Sequence, residues 1–122
     1  MAKKTILLID DEEQFTRLLK LNLEETGDYE GLAATNSDEG LRLIEQHHPD
    51  LVLLDIRMPG TDGIETLKQI KALDPHLPVA MVTAVWNEAE CQRAFAAGAY
   101  EYITKPVDLE QLRTAILVKL FE

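Results

Sequence analysis

Three short runs with almost no polar interruption constrain this chain most: Thr5-Ile-Leu-Leu-Ile9, Leu51-Val-Leu-Leu54 and Val79-Ala-Met-Val82. A strand with one wet face alternates apolar and polar residues, and these do not, so each reads as a strand covered on both faces. The segments between them carry helical spacing instead. Phe15, Leu18, Leu19 and Leu23 recur along one face up to Gly27, a residue suited to a helix C-terminus. Asn36 or Ser37 can cap a second helix with Leu41, Ile44 and His48 on its apolar face and Pro49 closing it. After a turn at Met58-Pro-Gly60, Ile64, Leu67 and Ile70 define a third helix that ends at Asp74-Pro75. Ala94 and Phe95, with Cys91 behind them, face inward on a short fourth helix stopped by Gly98, and Leu109, Leu112, Ile116 and Leu120 stripe a fifth. Two weaker strands complete the alternation, Tyr29 to Ala34, interrupted by Gly31, and Tyr100 to Thr104.

Five strands alternating with five helices predict an α/β fold, a single doubly wound five-stranded parallel sheet with helices on both faces. Right-handed crossovers leave few topologies, and the flavodoxin-like order 2-1-3-4-5 is the expectation. With 122 residues and no linker or repeat, residues 1–122 read as one domain large enough for its own core. The lone Cys91 excludes an internal disulfide and suits a reducing cytoplasm. Met1-Ala-Lys-Lys precedes only five mostly apolar residues before Asp10, so no signal segment or membrane span is expected and the chain reads as soluble. The 22 acidic against 12 basic residues give a net charge of −10, which repels phosphate backbones and anionic lipid and argues against nucleic-acid or membrane binding by this chain.

Ligands of such sheets bind beyond the carboxyl ends of the strands where strand order reverses, here between the first and third strands. That edge collects Asp10 and Asp11, Asp55, Thr83, and Lys105 with Pro106. Two carboxylates about 4 Å apart repel by roughly 4 kcal/mol at an effective dielectric of 20, so three clustered acids require a counter-charge. Lys105 supplies one unit and a divalent cation two; all-oxygen ligation without His or Cys favours Mg2+. Each residue also has a plain structural reading. Asp10 or Asp11 can cap the first helix with Glu13 or Gln14 completing a capping box, Lys105-Pro106 can be a turn with a cis bond, and His47 and His48 complement a helix dipole. Neither a phosphate-binding GxxxxGK[ST] loop nor a GxGxxG turn occurs. The signal is therefore joint, five weak residues falling on one sheet edge.

Those residues resemble the receiver domain of two-component response regulators over nearly the whole chain. The resemblance rests on Ile-Leu-Leu-Ile-Asp10-Asp11, Leu-Val-Leu-Leu-Asp55-Ile-Arg-Met-Pro-Gly60 with Asp62-Gly63, Val-Thr83-Ala84, and Tyr102-Ile-Thr-Lys105-Pro106. It implies Asp55 as phosphoacceptor, with Asp11, Asp55 and the backbone carbonyl of Arg57 as direct Mg2+ ligands and Asp10 holding the metal through water. Thr83 and Lys105 then grip the phosphoryl oxygens, and Tyr102 changes rotamer on activation, altering the surface of the fourth helix, fifth strand and fifth helix. The partners implied are a sensor histidine kinase or phosphotransfer protein and a downstream effector domain or protein, with a phosphorylation-dependent homodimer as a further expectation. No enzymatic activity is expected beyond the domain's own phosphorylation and dephosphorylation.

The resemblance also implies that Arg57 and Val85, two residues beyond Asp55 and Thr83, flank the route of a hydrolytic water; neither offers a carboxylate or amide to orient it, which predicts slow self-dephosphorylation. Trp86 reads as a loop surface aromatic placed to report on the site, and Gly31 departs from the larger apolar residue usual in the second strand. Three rival readings stand beside this one. A flavin carrier is electrostatically opposed by Asp10-Asp-Glu-Glu13, an aspartyl-phosphate phosphatase lacks its second acid because Arg57 stands there, and a receiver-like module that is never phosphorylated is opposed by the complete set of acids and lysine. Ending at Glu122, about where the fifth helix should end, the sequence fits a stand-alone regulator or a receiver cut from a longer protein.

Overall fold

A computed structural model describes residues 2–121. Its main sheet is parallel and contains β1 (Lys4–Ile9), β2 (Tyr29–Ala34), β3 (Leu51–Leu54), β6 (Val79–Thr83) and β7 (Glu101–Thr104). The spatial order is β2-β1-β3-β6-β7, the predicted 2-1-3-4-5 once the strands of this sheet are counted by themselves. The remaining strands, β4 (Arg57–Met58) and β5 (Thr61–Asp62), form a small antiparallel pair around Pro59-Gly60, where the sequence suggests only a turn. Gly60 has φ +72°, a left-handed conformation that favours glycine and lets the chain reverse within two residues.

The helices are α1 (Glu13–Glu24), α2 (Ser37–His47), α3 (Gly63–Leu73), α4 (Glu88–Ala96) and α5 (Leu109–Phe121). Strand periodicity assigns their faces. Ile6, Leu8, Leu51, Leu53, Ala80, Val82 and Ile103 meet Leu19 and Leu23 of α1 and Leu112 and Ile116 of α5. The alternate residues Leu7, Ile9, Val52, Leu54, Val79 and Met81 meet Ile44 of α2, Ile64, Leu67 and Ile70 of α3 and Ala94 of α4. The continuous apolar strands thus have one purpose per side chain, each filling one of two cores, as burial on both sheet faces requires.

Several helix positions differ from the periodic reading. Leu18 is 67% exposed because α1 turns Thr16, Leu19 and Leu23 inward, and Leu18 lies one position off that stripe. Phe95 is 45% exposed for the same reason beside the buried Ala94, and Leu109, at the first residue of α5, is 40% exposed. His48 is not on the apolar face of α2; it is the exposed residue that ends the helix, at φ 47°. Asn36 rather than Ser37 caps α2, its side chain accepting from the Glu39 N–H at 2.9 Å. Gly31 has a packing reason: a Cβ there would lie 2.6 Å from the Lys20 Cγ, so the lysine stem of α1 occupies the space a larger residue would need.

Candidate functional site

The carboxyl ends of β1, β3, β6 and β7 bring the five sequence-predicted residues together. Parallel pairing sets β1 and β3 side by side with Ile9 opposite Leu54, so Asp10 and Asp55 leave the sheet as neighbours. The Asp55 N–H continues the ladder by donating to the Ile9 carbonyl at 3.0 Å, and the Lys105 N–H does the same to Thr83 at 2.8 Å. Main-chain hydrogen bonds therefore fix where these side chains begin.

Carboxylate oxygens of Asp10, Asp11 and Asp55 lie within 4.8 Å of one another. Asp10 and Asp55 are buried, at 3% and 5% exposure, while Asp11 opens to solvent. Both oxygens of Asp10 already hold partners: Oδ1 accepts from the Glu12 N–H at 2.9 Å, and Oδ2 accepts from Lys105 Nζ at 2.7 Å. Asp55 accepts from the Arg57 N–H at 3.2 Å through Oδ1, with Oδ2 3.4 Å from Lys105 Nζ. Burial raises the pKa of Asp10, against the opposing pull of the Lys105 hydrogen bond. Burial acts on Lys105 to lower its pKa, but hydrogen bonds to Asp10 and Glu12 outweigh it and hold the ammonium above its ordinary range. Lys105 therefore places a positive charge beside the acids at neutral pH.

Thr83 is fully buried, and its hydroxyl accepts from the Val85 N–H at 3.2 Å. A cleft lined by Asp11, Glu12, Asp55, Arg57, Thr83, Ala84 and Val85 opens beside it. Tyr102 stands outside this cleft and reaches it through the backbone: its hydroxyl donates to the Val85 carbonyl at 2.5 Å. The Trp86 ring, two-thirds exposed as the sequence suggests, packs edge-on against Tyr102 with centroids 5.9 Å apart.

Two features escape the sequence reading. Asp10 and Asp11 form no capping box: Asp10 turns back onto the Glu12 N–H, and Glu12, the N-cap of α1, makes no side-chain cap bond. Glu12 instead places its carboxylate 2.5 Å from Lys105 Nζ, a fourth acid beside the site. The run Asp10-Asp-Glu-Glu13 was the available signal, but which acid reaches a lysine 93 residues away is a tertiary matter. Gly63 is the second feature. A Cβ on it would lie 2.3 Å from the Asp55 carbonyl oxygen, so the start of α3 presses directly on the backbone of the Asp55 loop.

The donor set suits a hard cation: three carboxylates converge, and neither His nor Cys joins them among the described residues. The sequence pattern of the response regulator receiver domain matches residues 6–117. The chain belongs to that family. Receiver domains are the switch modules of two-component signalling. Over 95% of its length this receiver domain is 39% identical to the chemotaxis protein CheY of Halobacterium salinarum, of which it covers 95%. It is 37% identical over 94% of its length to the regulatory protein AtoC of Escherichia coli, of which it covers only 25%. The domain spans a quarter to about half of the first curated relatives it matches. Among solved structures, a CheY-like receiver domain protein from Methanospirillum hungatei superposes with a TM-score of 0.93 at 35% identity, covering 98% of this chain and 94% of that one. None of the described helices is long and apolar enough to cross a membrane.

Proposed function

We propose that this receiver domain accepts a phosphoryl group on Asp55 and uses it to change the surface formed by α4, β7 and α5. The observation that carries the reading is the position of Asp55, buried beside the carboxylates of Asp10 and Asp11 with the Lys105 ammonium 3.4 Å away. A carboxylate oxygen of Asp55 attacks the phosphorus of a phosphohistidine in line. The phosphorus–nitrogen bond breaks, its electron pair stays with the imidazole nitrogen, and Asp55 becomes an acyl phosphate. Asp11, Asp55 and the Arg57 backbone carbonyl would hold Mg2+ directly and Asp10 through water; bound there, the ion neutralises charge on the transferring phosphoryl oxygens. The occupied oxygens of Asp10 support its indirect role.

The new group carries a charge of about −1.5 to −2 and strong acceptor oxygens. Lys105 closes on it, and the Thr83 hydroxyl turns from the Val85 N–H to donate to it. Movement of Thr83 and Val85 is felt by Tyr102 through the Val85 carbonyl it already holds. Inverting a switch from 1:99 to 99:1 takes about 5.5 kcal/mol of differential stabilisation, within reach of two or three charge-assisted hydrogen bonds made only after phosphorylation. The donor is a sensor histidine kinase or phosphotransfer protein, and the readout an effector domain or protein, or a phosphorylation-dependent homodimer. Arg57 and Val85 line the cleft and neither offers a carboxylate or amide to orient a hydrolytic water, so the acyl phosphate decays slowly.

Incubation with a small phosphodonor and Mg2+ tests the reading. The expected result is one phosphoryl group on Asp55 by peptide mass mapping, none in Asp55→Asn or with EDTA, and a change in Trp86 emission. Absence of label on Asp55 would leave an interaction module that is not phosphorylated. Val85→Glu should shorten the lifetime of the label, and an unchanged lifetime removes the account of slow decay.

A further inference from the structure

Of the three acids paired with Lys105, Glu12 is the one that the proposed phosphotransfer does not use. The ammonium lies 2.5 Å from Glu12 Oε1 and 2.7 Å from Asp10 Oδ2, but 3.4 Å from Asp55 Oδ2. Two acids at full hydrogen-bond contact therefore hold it on the α1 side of the site, and the Phe15 ring, 4.4 Å from the nitrogen, closes that side further. Helix formation does not require the contact, since Glu12 serves α1 with its backbone and its side chain makes no cap bond. The Glu12 side chain is also 59% exposed, unlike that of Asp10, so it can leave Lys105 for water at little cost.

We propose that Glu12 is a positioning residue that restrains Lys105 before phosphorylation and yields it when a phosphoryl group reaches Asp55, biasing the switch toward its unphosphorylated state. This rests on Asp55 being the phosphoacceptor. Lys105 must close a 3.4 Å gap to grip oxygens carried by Asp55, and that movement draws it from Glu12. The Glu12 charge also repels the incoming group, so both effects have one sign. Asp10 cannot release the lysine in the same way, because its buried carboxylate has no route to solvent.

The experiment measures beryllofluoride binding at saturating Mg2+, a non-covalent stand-in for the phosphoryl group, on the whole chain by fluorine NMR or calorimetry. Glu12→Gln is expected to tighten binding roughly two- to fivefold, the size of one partly exposed ion pair. Glu12→Asp keeps the charge but shortens the reach, and should tighten binding too. Glu13→Gln, an equal charge change one residue on at an exposed position without a Lys105 contact, should leave binding as in the wild type. Equal tightening in Glu12→Gln and Glu13→Gln, or wild-type affinity in Glu12→Gln, overturns the inference while leaving Asp55 as phosphoacceptor intact. If the wild type neither binds the probe nor takes label at Asp55, the functional reading falls and the inference with it.

Discussion

Helix α3 buries Ile64, Leu67 and Ile70 almost completely, whereas α4, packed on the same sheet face, buries only Ala94 and leaves Phe95 largely in solvent. The other face shows a weaker version: α1 buries Thr16, Leu19 and Leu23 and exposes Leu18 and Leu21, while α5 buries Leu112 and Ile116 and exposes Leu109, Leu117, Val118 and Phe121. The densely anchored region holds Asp10, Asp11 and Asp55. The thinly anchored one carries Thr83's neighbours, Tyr102 and Lys105. In the proposed switch, the acids that keep a fixed geometry sit on the part with most to lose by moving, and the groups proposed to respond sit where a shift disrupts few buried contacts.

The strongest attack on this contrast is cavity formation. Leu67→Ala should cost about 2–5 kcal/mol in urea unfolding, whereas Phe95→Ala should cost less than about 1 kcal/mol. Equal costs would mean that α4 is as firmly seated as α3. Next in size is Gly63→Ala, which forces a methyl against the Asp55 carbonyl and Ile56 backbone and should cost about 1–3 kcal/mol. It should also slow labelling of Asp55, whereas a variant that merely lost stability would label at the wild-type rate once folded.

A matched pair of caps sharpens the comparison. Asn36 and Asn87 accept from the Glu39 and Glu90 N–H groups at 2.9 and 2.8 Å, so alanine at either should cost about 1 kcal/mol of helix stability. At Asn36 the loss should appear in the global unfolding midpoint. At Asn87 it should appear as faster hydrogen exchange confined to α4, because that helix can open without exposing much of the core. Identical exchange patterns would break the distinction.

The smallest expected effect is alkaline. Tyr100 of the α5 side is half-buried, its hydroxyl donates to the Ala115 carbonyl at 3.2 Å, and burial, reinforced by Glu101, pushes its pKa far above the ordinary 10.0. Well below the unfolded value of 10.0 the phenol is protonated in folded and unfolded chains alike and contributes no pH dependence. Above it the unfolded chain ionises first, so stability falls as pH rises. Tyr100→Phe should flatten the melting temperature between pH 9 and roughly 11, and an unchanged slope would assign the alkaline loss to other groups.

The strands were legible because burial on both faces leaves no room for polar residues, and the site because Asp55 at the end of such a run has no structural excuse. Reading the helix faces was less secure. Leu18, Phe95 and Leu109 share spacing with buried neighbours, yet a stripe on a wheel does not say how wide the covered arc is. Near Asp10 local pattern misled, since a capping box and an acid site use the same residues, and only the turn of Asp10 onto the Glu12 N–H separates them.

By itself the amino-acid order determined the fold class, the strand order and the edge on which Asp10, Asp11, Asp55, Thr83 and Lys105 gather, because hydrophobic periodicity and crossover handedness are properties of the chain. Tertiary structure alone decided that Glu12 meets Lys105, that Gly63 presses on the Asp55 loop and that Tyr102 holds the Val85 carbonyl. Those contacts join residues from different elements, and they depend on differences of a few tenths of an ångström that no local pattern encodes.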